Sequence, residues 1–185
     1  TTPMNLRKDA AYAASQLSVA VREITKIIGS GQVGTVGVIS PKPNLINVVP
    51  GEVYMTVDLR NIDEKKLKKA EDLLKQKIEH ICLAEKVNVE TEQLVRFKPV
   101  NFDKRISNII ANISDEKGLQ CTRLNSGAGH DAQMMARICP TSMVFVPSKD
   151  GISHNPREYT SKEHLNYGLQ ILYETINRID LNLLD

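Results

Sequence analysis

The sequence is poor in cysteine. Its three, Cys82, Cys121 and Cys139, lie at unrelated spacings with no Cys-x-x-Cys pair. Such a pattern supports neither a disulfide framework nor a thiolate zinc site, so buried, reduced thiols in a cytoplasmic protein are expected. No apolar run approaches the roughly 18 residues of a membrane span. The opening TTPMNLRKDA has neither a basic n-region nor an apolar h-region, so no secretory signal and no membrane partner are expected. An excess of charge is missing as well. The 24 Lys+Arg stand against 22 Asp+Glu, a net +2, too balanced for a chain whose main partner is nucleic acid. What is present is ordinary globular material: 185 residues, 41% hydrophobic and 25% charged. That length holds one domain or two small ones.

Along the chain, Leu6, Ala10, Ala13, Ala14, Leu17, Val21, Ile24, Ile27 and Ile28 fall at helical spacing, which predicts a helix over 4–28 stopped by Gly29-Ser30-Gly31. Val33–Ser40 is β-branched and reads as a strand broken by Pro41-Lys42-Pro43. In Glu52–Arg60, Val53, Met55, Val57 and Leu59 alternate with polar residues, a second strand. Asp63 is placed to cap a helix running to about Glu85, with Leu67, Leu74, Ile78 and Ile81 inward. Its lysines are interleaved with Glu64, Glu71, Asp72 and Glu79, so they read as a solvated face. A third strand is expected at 87–97.

The pattern changes at Pro99. Helices are expected at 103–116, 131–138 and 161–179, with strands at 119–124 and 142–146. The fold class is therefore α/β: an antiparallel sheet with two helices on one face over 1–98, then an alternating, parallel-type α/β segment over 99–185. Both parts read as incomplete. The first is a split β-α-β unit without its opening strand, and the second is too small to cover a parallel sheet on both faces. A preceding stretch of chain is expected to be missing.

Two loops concentrate chemistry-bearing residues, each after the carboxyl end of an expected strand, where open α/β sheets place ligands. One is Asn125-Ser126-Gly127-Ala128-Gly129-His130-Asp131, the other Asp150-Gly151-Ile152-Ser153-His154-Asn155-Pro156. Gly127 and Gly129 would allow close backbone approach to a ligand, and a helix start at His130–Asp131 would present amide N–H groups to a developing oxyanion. The same loop reads as Gly-x-Gly-x-x-Ala. Pro140 shortens the following helix, however, and His-Asp would crowd a pyrophosphate. A serine nucleophile elbow is excluded because His130 follows Gly129. His80 and His164 read as structural, whereas His130 and His154 are candidates for function or for a structural role. Arg60 offers a planar fork for a carboxylate, or else a surface ion pair with Asp58 or Glu52.

Taken in order, Thr1-Thr2-Pro3-Met4, Asn47-Val48-Val49-Pro50-Gly51, Asp58-Leu59-Arg60, Gly127-Ala128-Gly129-His130-Asp131-Ala132, Phe145-Val146-Pro147-Ser148 and Gly151–Pro156 span essentially the whole chain. It resembles the metal-dependent amidases that act on carbamoyl amino acids: N-carbamoyl-L-amino-acid hydrolase, β-ureidopropionase and allantoate amidohydrolase. The family's substrate-binding Asn and Arg have the spacing of Asn47 and Arg60, and its two late histidines that of His130 and His154.

The resemblance implies a site with two divalent ions, zinc or manganese, in a zinc-exopeptidase-like catalytic domain. A lid domain inserted into it mediates homodimerisation. Residues 1–98 would be the lid and 99–185 the C-terminal portion of the catalytic domain. His154 is implied as a metal ligand. His130, with the Gly129 amide, is implied to hold and polarise the carbonyl, and Asn47 and Arg60 to clamp the carboxylate of a small-molecule substrate. The family's other metal ligands and its general-base Glu have no counterpart in this sequence, so the chain alone is expected to be inactive. The alternatives are an aminoacylase or dipeptidase of the same clan, and a dimerisation module without chemistry of its own.

Overall fold

The computed structural model describes residues 2–182, which divide into two units, one ending at Pro99 and the other beginning at Val100. In the first, Asp9 accepts hydrogen bonds from the Ala11 and Tyr12 amides, both at 3.0 Å, and so starts helix α1 at Ala10–Ile28. The expected helix over 4–28 is thus shorter. Met4–Leu6 is a separate 3-10 turn, because the Asp9 cap fixes where the α-helix begins. Strand β1, Val33–Lys42, pairs antiparallel with β2, Glu52–Arg60, from Val33 opposite Arg60 to Lys42 opposite Glu52. β1 runs on through Pro41, which is tolerated because, among the described residues, β1 has only β2 as a neighbour and needs no second ladder bond. Gly37 is an extra residue between the pairs Val36–Val57 and Val38–Thr56, and the Val38 amide donates to Thr56 Oγ1 at 3.1 Å.

Asp63 caps helix α2, Glu64–Glu85, which packs on α1 and touches β2. Ala13, Ala20, Val21, Ile24, Leu67, Ala70 and Ile81 are buried in this unit. Gly34 lets α1 lie close on the sheet: a Cβ there would stand 2.8 Å from Thr25 Cγ2 and 3.0 Å from Val21 Cγ1.

The expected strand at 87–97 does not form. The segment is held beside α2 by Arg96, which reaches Glu71 Oε1 at 2.8 Å and Glu64 Oε1 at 2.9 Å, but it joins no sheet. In a split β-α-β arrangement the opening strand lies between β2 and this segment. Among the described residues nothing occupies that place, so the segment has no backbone to pair with.

In the second unit Asp103 caps helix α3, Lys104–Glu116, and the shorter α4 covers Asp131–Met135, not 131–138. Helix α5, Lys162–Asn182, packs on α3 around Ile106, Ile113, Ile171 and Thr175. Ion pairs Lys117–Glu174 and Arg178–Glu116 border that contact. The expected strands at 119–124 and 142–146 carry no ladder among the described residues. Their apolar composition favours extended backbone, but a strand exists only against a partner. The second is tied instead to α3 through Ser107 Oγ···Ser142 Oγ at 3.1 Å and through the Asp103 amide, which donates to Thr141 O at 2.8 Å.

The mixed helix and antiparallel-sheet class stands as expected. The burial of the thiols does not: Cys121 and Cys139 are exposed and Cys82 half-buried, because the first two lie in segments that no sheet covers. No helix among the described residues is long and apolar enough to cross a membrane.

Candidate functional site

In the second unit the loop before α4 folds onto its own histidine. Ser126 Oγ lies 2.7 Å from His130 Nε2 and also accepts the Ala128 N–H at 3.2 Å. His130 is the N-cap of α4: Gln133 Oε1 accepts the His130 N–H at 3.4 Å, and the Gln133 N–H donates to His130 O at 2.9 Å. The Phe145 ring meets the imidazole edge-on, with centroids 5.7 Å apart and planes at 66°. The apolar 142–146 segment therefore braces the ring that the loop presents. Gly127 and Gly129 do not adopt positive φ. Their contribution is space: a Cβ at Gly127 would meet nothing within 4 Å, and one at Gly129 only Gln133 Oε1 at 4.0 Å. With five residues, α4 carries little dipole, so the expected pull of a helix start on an oxyanion is small here.

His154 sits in the following loop, exposed and in the left-handed conformation at φ 54°; Asp150 and Gly151 are left-handed too. Its backbone N–H donates to Glu158 Oε2 at 2.8 Å, and Lys149 N–H donates to Tyr159 O at 2.8 Å to close the loop. Among the described residues no three His, Cys, Asp or Glu side chains come together as a metal-holding group. An exposed imidazole can give one ligand, but the side chains present do not make the two-ion site that the resemblance implies.

The first unit holds the other two candidates, and it separates them. Asn47 is exposed in the loop joining β1 to β2, which is closed by Gly51 N–H to Lys42 O at 2.9 Å and tied to the start of α1 by Ala10 N–H to Pro50 O at 3.4 Å. It borders an open depression of about 510 Å³ with Arg7, Asp9, Tyr12 and Ser15. Arg60 is at the far end of the hairpin, opposite Val33. Eight steps of strand lie between Glu52 and Arg60, about 27 Å. Arg60 spreads its guanidinium over Asp58, with Nη2–Oδ2 at 2.6 Å and Nε–Oδ1 at 3.0 Å. The Arg60 hydrogen bond holds the Asp58 carboxyl below the usual carboxylate range, against a smaller opposing effect of burial. Glu52 pairs with Lys42 instead, at 2.9 Å. Sequence reasoning missed Arg7, the cation that shares Asn47's surroundings, because nothing in its local pattern sets it apart from a solvated charge.

These two loops and this hairpin also have counterparts in known proteins. The family model described as peptidase family M20/M25/M40 matches residues 10–178, and the chain belongs to that family. It is 36% identical over 172 residues to the allantoate amidohydrolase of Escherichia coli, covering 93% of this chain and 42% of that protein. To an N-carbamoyl-L-amino acid amidohydrolase of Geobacillus stearothermophilus it is 34% identical over 175 residues, covering 95% and 42%. Among solved structures, a hydantoinase/carbamoylase family amidase from Burkholderia vietnamiensis matches with a TM-score of 0.89 at 35% identity, covering 94% of this chain and 42% of that one. The resemblance expected from the motifs is borne out. The chain spans a little over two-fifths of the length of the curated relatives it matches.

Proposed function

We infer that this chain forms part of an amidohydrolase acting on N-carbamoyl-L-amino acids or related ureido acids such as allantoate and β-ureidopropionate, by cleavage of a linear amide or ureido C–N bond. The observation that carries this reading is the braced His130 loop, with open space over Gly127 and Gly129, in a chain whose relatives are named amidohydrolases of ureido compounds. In this reading the loop at 125–131, with His130 and the Gly129 amide, receives the substrate carbonyl oxygen. Donors fixed before the reaction favour the charge that develops on that oxygen. His154 gives one ligand to a site for two divalent ions, zinc or manganese, whose other ligands lie outside this chain.

Asn47 and Arg60 serve the substrate carboxylate. Because a strand's length separates them, one copy of the first unit brings only one of the two to a given carboxylate. A homodimer through residues 1–98, the lid in this reading, is the arrangement that leaves both roles open. Residues 99–185 are then the C-terminal portion of the catalytic domain. The free thiols suit a cytoplasmic, reducing compartment.

The test is a chimera: residues 1–185 joined behind the unmatched portion of the E. coli allantoate amidohydrolase, assayed with Zn²⁺ or Mn²⁺ on allantoate and N-carbamoyl-L-amino acids. Turnover is expected from the chimera and none from the chain alone. His154→Ala should lower its metal content, whereas His130→Ala should keep the metal and lower kcat. A folded, metal-loaded chimera that leaves ureido acids intact but cleaves N-acyl amino acids or dipeptides would replace this reading with that of an aminoacylase or dipeptidase.

A further inference from the structure

Helix α5 is apolar on two faces, and α3 covers one of them. Ile171 and Thr175, 5% and 4% exposed, lie in that contact, and Glu174 and Arg178 at its border pair with Lys117 and Glu116. The other face carries Leu165, Leu169, Leu172 and Ile176, which recur at helical spacing and are 48–64% exposed. At about 100° per residue these four lie about 40–100° to one side of Gly168, whereas Ile171 and Thr175 lie about 20–60° to the other. Gly168 itself meets Val146, whose Cγ1 would stand 2.5 Å from a Cβ placed there. Val146 thus sits on the boundary between the face that α3 covers and the apolar stripe that no other element covers among the described residues.

The segment that carries Val146 has an unmet need of its own. Met143, Val144, Phe145 and Val146 form an unbroken apolar run, the pattern of a strand buried on both faces. Among the described residues they join no ladder, although Met143, Val144 and Val146 are half-buried. Backbone N–H and C=O groups withdrawn from water need partners. A helix about 10–12 Å across spans two strands set about 4.8 Å apart. Segment 142–146 fills one such place on α5. We propose that the α5 stripe is the seat of a β-strand laid beside 142–146, supplied by the portion of an M20 amidohydrolase that this chain does not match. Such a strand meets both needs at once. Its backbone pairs with 142–146, and its apolar side chains cover Leu165, Leu169, Leu172 and Ile176. A helix, or the α5 of a second copy, would cover the stripe and leave the 142–146 backbone unpaired. The relatives carry the length required: the match covers 42% of the E. coli allantoate amidohydrolase. The inference rests on the proposed function only in treating 99–185 as part of a catalytic domain.

The experiment compares the intact chain with the chimera described above, both oxidised by hydroxyl radicals and read residue by residue by mass spectrometry. Leu165, Leu169, Leu172 and Ile176 are expected to be oxidised in the chain alone and protected in the chimera by about fivefold, the change from half-exposed to buried. Leu169→Glu combined with Leu172→Glu should leave the helical content of the chain alone unchanged and should lower the urea midpoint of the chimera. A folded chimera whose stripe is oxidised as in the chain alone would overturn the proposal. Protection in the chain alone that grows with its concentration would overturn it too, because the occupant would then be a second copy. Where the fused chimera does not fold, the same footprint is read on the two pieces co-expressed as separate polypeptides and purified through a tag on the unmatched portion; pieces that do not co-purify would count against the docking. Protection without turnover of ureido acids would keep this inference and overturn the functional reading, and turnover with the stripe still oxidised would do the reverse.

Discussion

Arg60 grips Asp58 with two of its nitrogens across the exposed face of β2, at 2.6 Å for Nη2–Oδ2 and 3.0 Å for Nε–Oδ1. The same pattern recurs at Asp103, whose carboxyl is held low first by Arg105, and at Glu116, held low first by Arg178. A carboxyl whose folded pKa lies below its unfolded value stabilises the fold above the unfolded value, and the effect is lost as pH falls through the folded one. Urea midpoints should therefore be level at neutral pH and drop below about pH 4, the ordinary carboxylate range. Asp58→Asn should flatten part of that drop. A midpoint rising on acidification would contradict the signs assigned to these pairs.

Gly168 lies in the middle of α5 because Val146 lies against it: a Cβ at that position would stand 2.5 Å from Val146 Cγ1. Helix propensity alone favours alanine there by about 1 kcal/mol. Overpacking a close contact costs about 1–3 kcal/mol, so the clash wins. Gly168→Ala should lower stability in urea unfolding, and Val146→Ala in the same chain should recover much of the loss. A stabilised single variant would mean that the 142–146 segment yields freely.

Gly34→Ala is expected to destabilise the first unit by about 1–3 kcal/mol. The new Cβ would meet Thr25 Cγ2 at 2.8 Å, Val21 Cγ1 at 3.0 Å and Leu59 Cδ2 at 3.3 Å. Val21 is 2% exposed, so it has little room to move. Thr25→Ser, which removes the closest methyl, should restore part of the stability. Circular dichroism during urea titration reads both effects.

At His154 the left-handed backbone sets glycine apart from alanine. Both substitutions remove the imidazole and keep the backbone N–H that Glu158 accepts. Glycine relieves a conformation that costs an L-residue about 1–2 kcal/mol, and alanine does not. His154→Gly should accordingly be the more stable of the two by about 1 kcal/mol in thermal or urea unfolding. Equal stability would show that the loop leaves the left-handed region once the imidazole is gone.

Dimerisation through the first unit predicts a concentration-independent dimer by light scattering at tens of micromolar. Among the described residues β1 pairs with β2 on one side only, and Val38 is exposed. The Gly37 bulge divides the outer edge, so a second copy would pair along Val38–Lys42 or Val33–Val36 and not along the whole strand. Val38→Asp should then dissociate the dimer without changing the helical content of the monomer. A monomer in the unsubstituted chain would leave this edge without a role in assembly.

Local pattern by itself determined the helices, the hairpin and the place of the candidate loops. Asp9, Asp63 and Asp103 each cap a helix through contacts two or three residues away, and the alternation of Val53, Met55, Val57 and Leu59 needs no distant partner to be legible. Short-range spacing also carried the family resemblance, because the loop motifs are contiguous. Three things were decided only in the tertiary structure. Whether 87–97, 119–124 and 142–146 become strands depends on a neighbouring backbone, and composition reports extended preference without reporting the neighbour. Asn47 and Arg60, thirteen positions apart in sequence, are held at opposite ends of the hairpin, because antiparallel pairing of Val33 with Arg60 sends β2 away from the loop that holds Asn47. The engagement of His130 by Ser126, Gln133 and Phe145 arises where a turn, a helix cap and a segment fifteen residues further on converge, a juxtaposition of ring edge and hydroxyl that no one-dimensional spacing encodes.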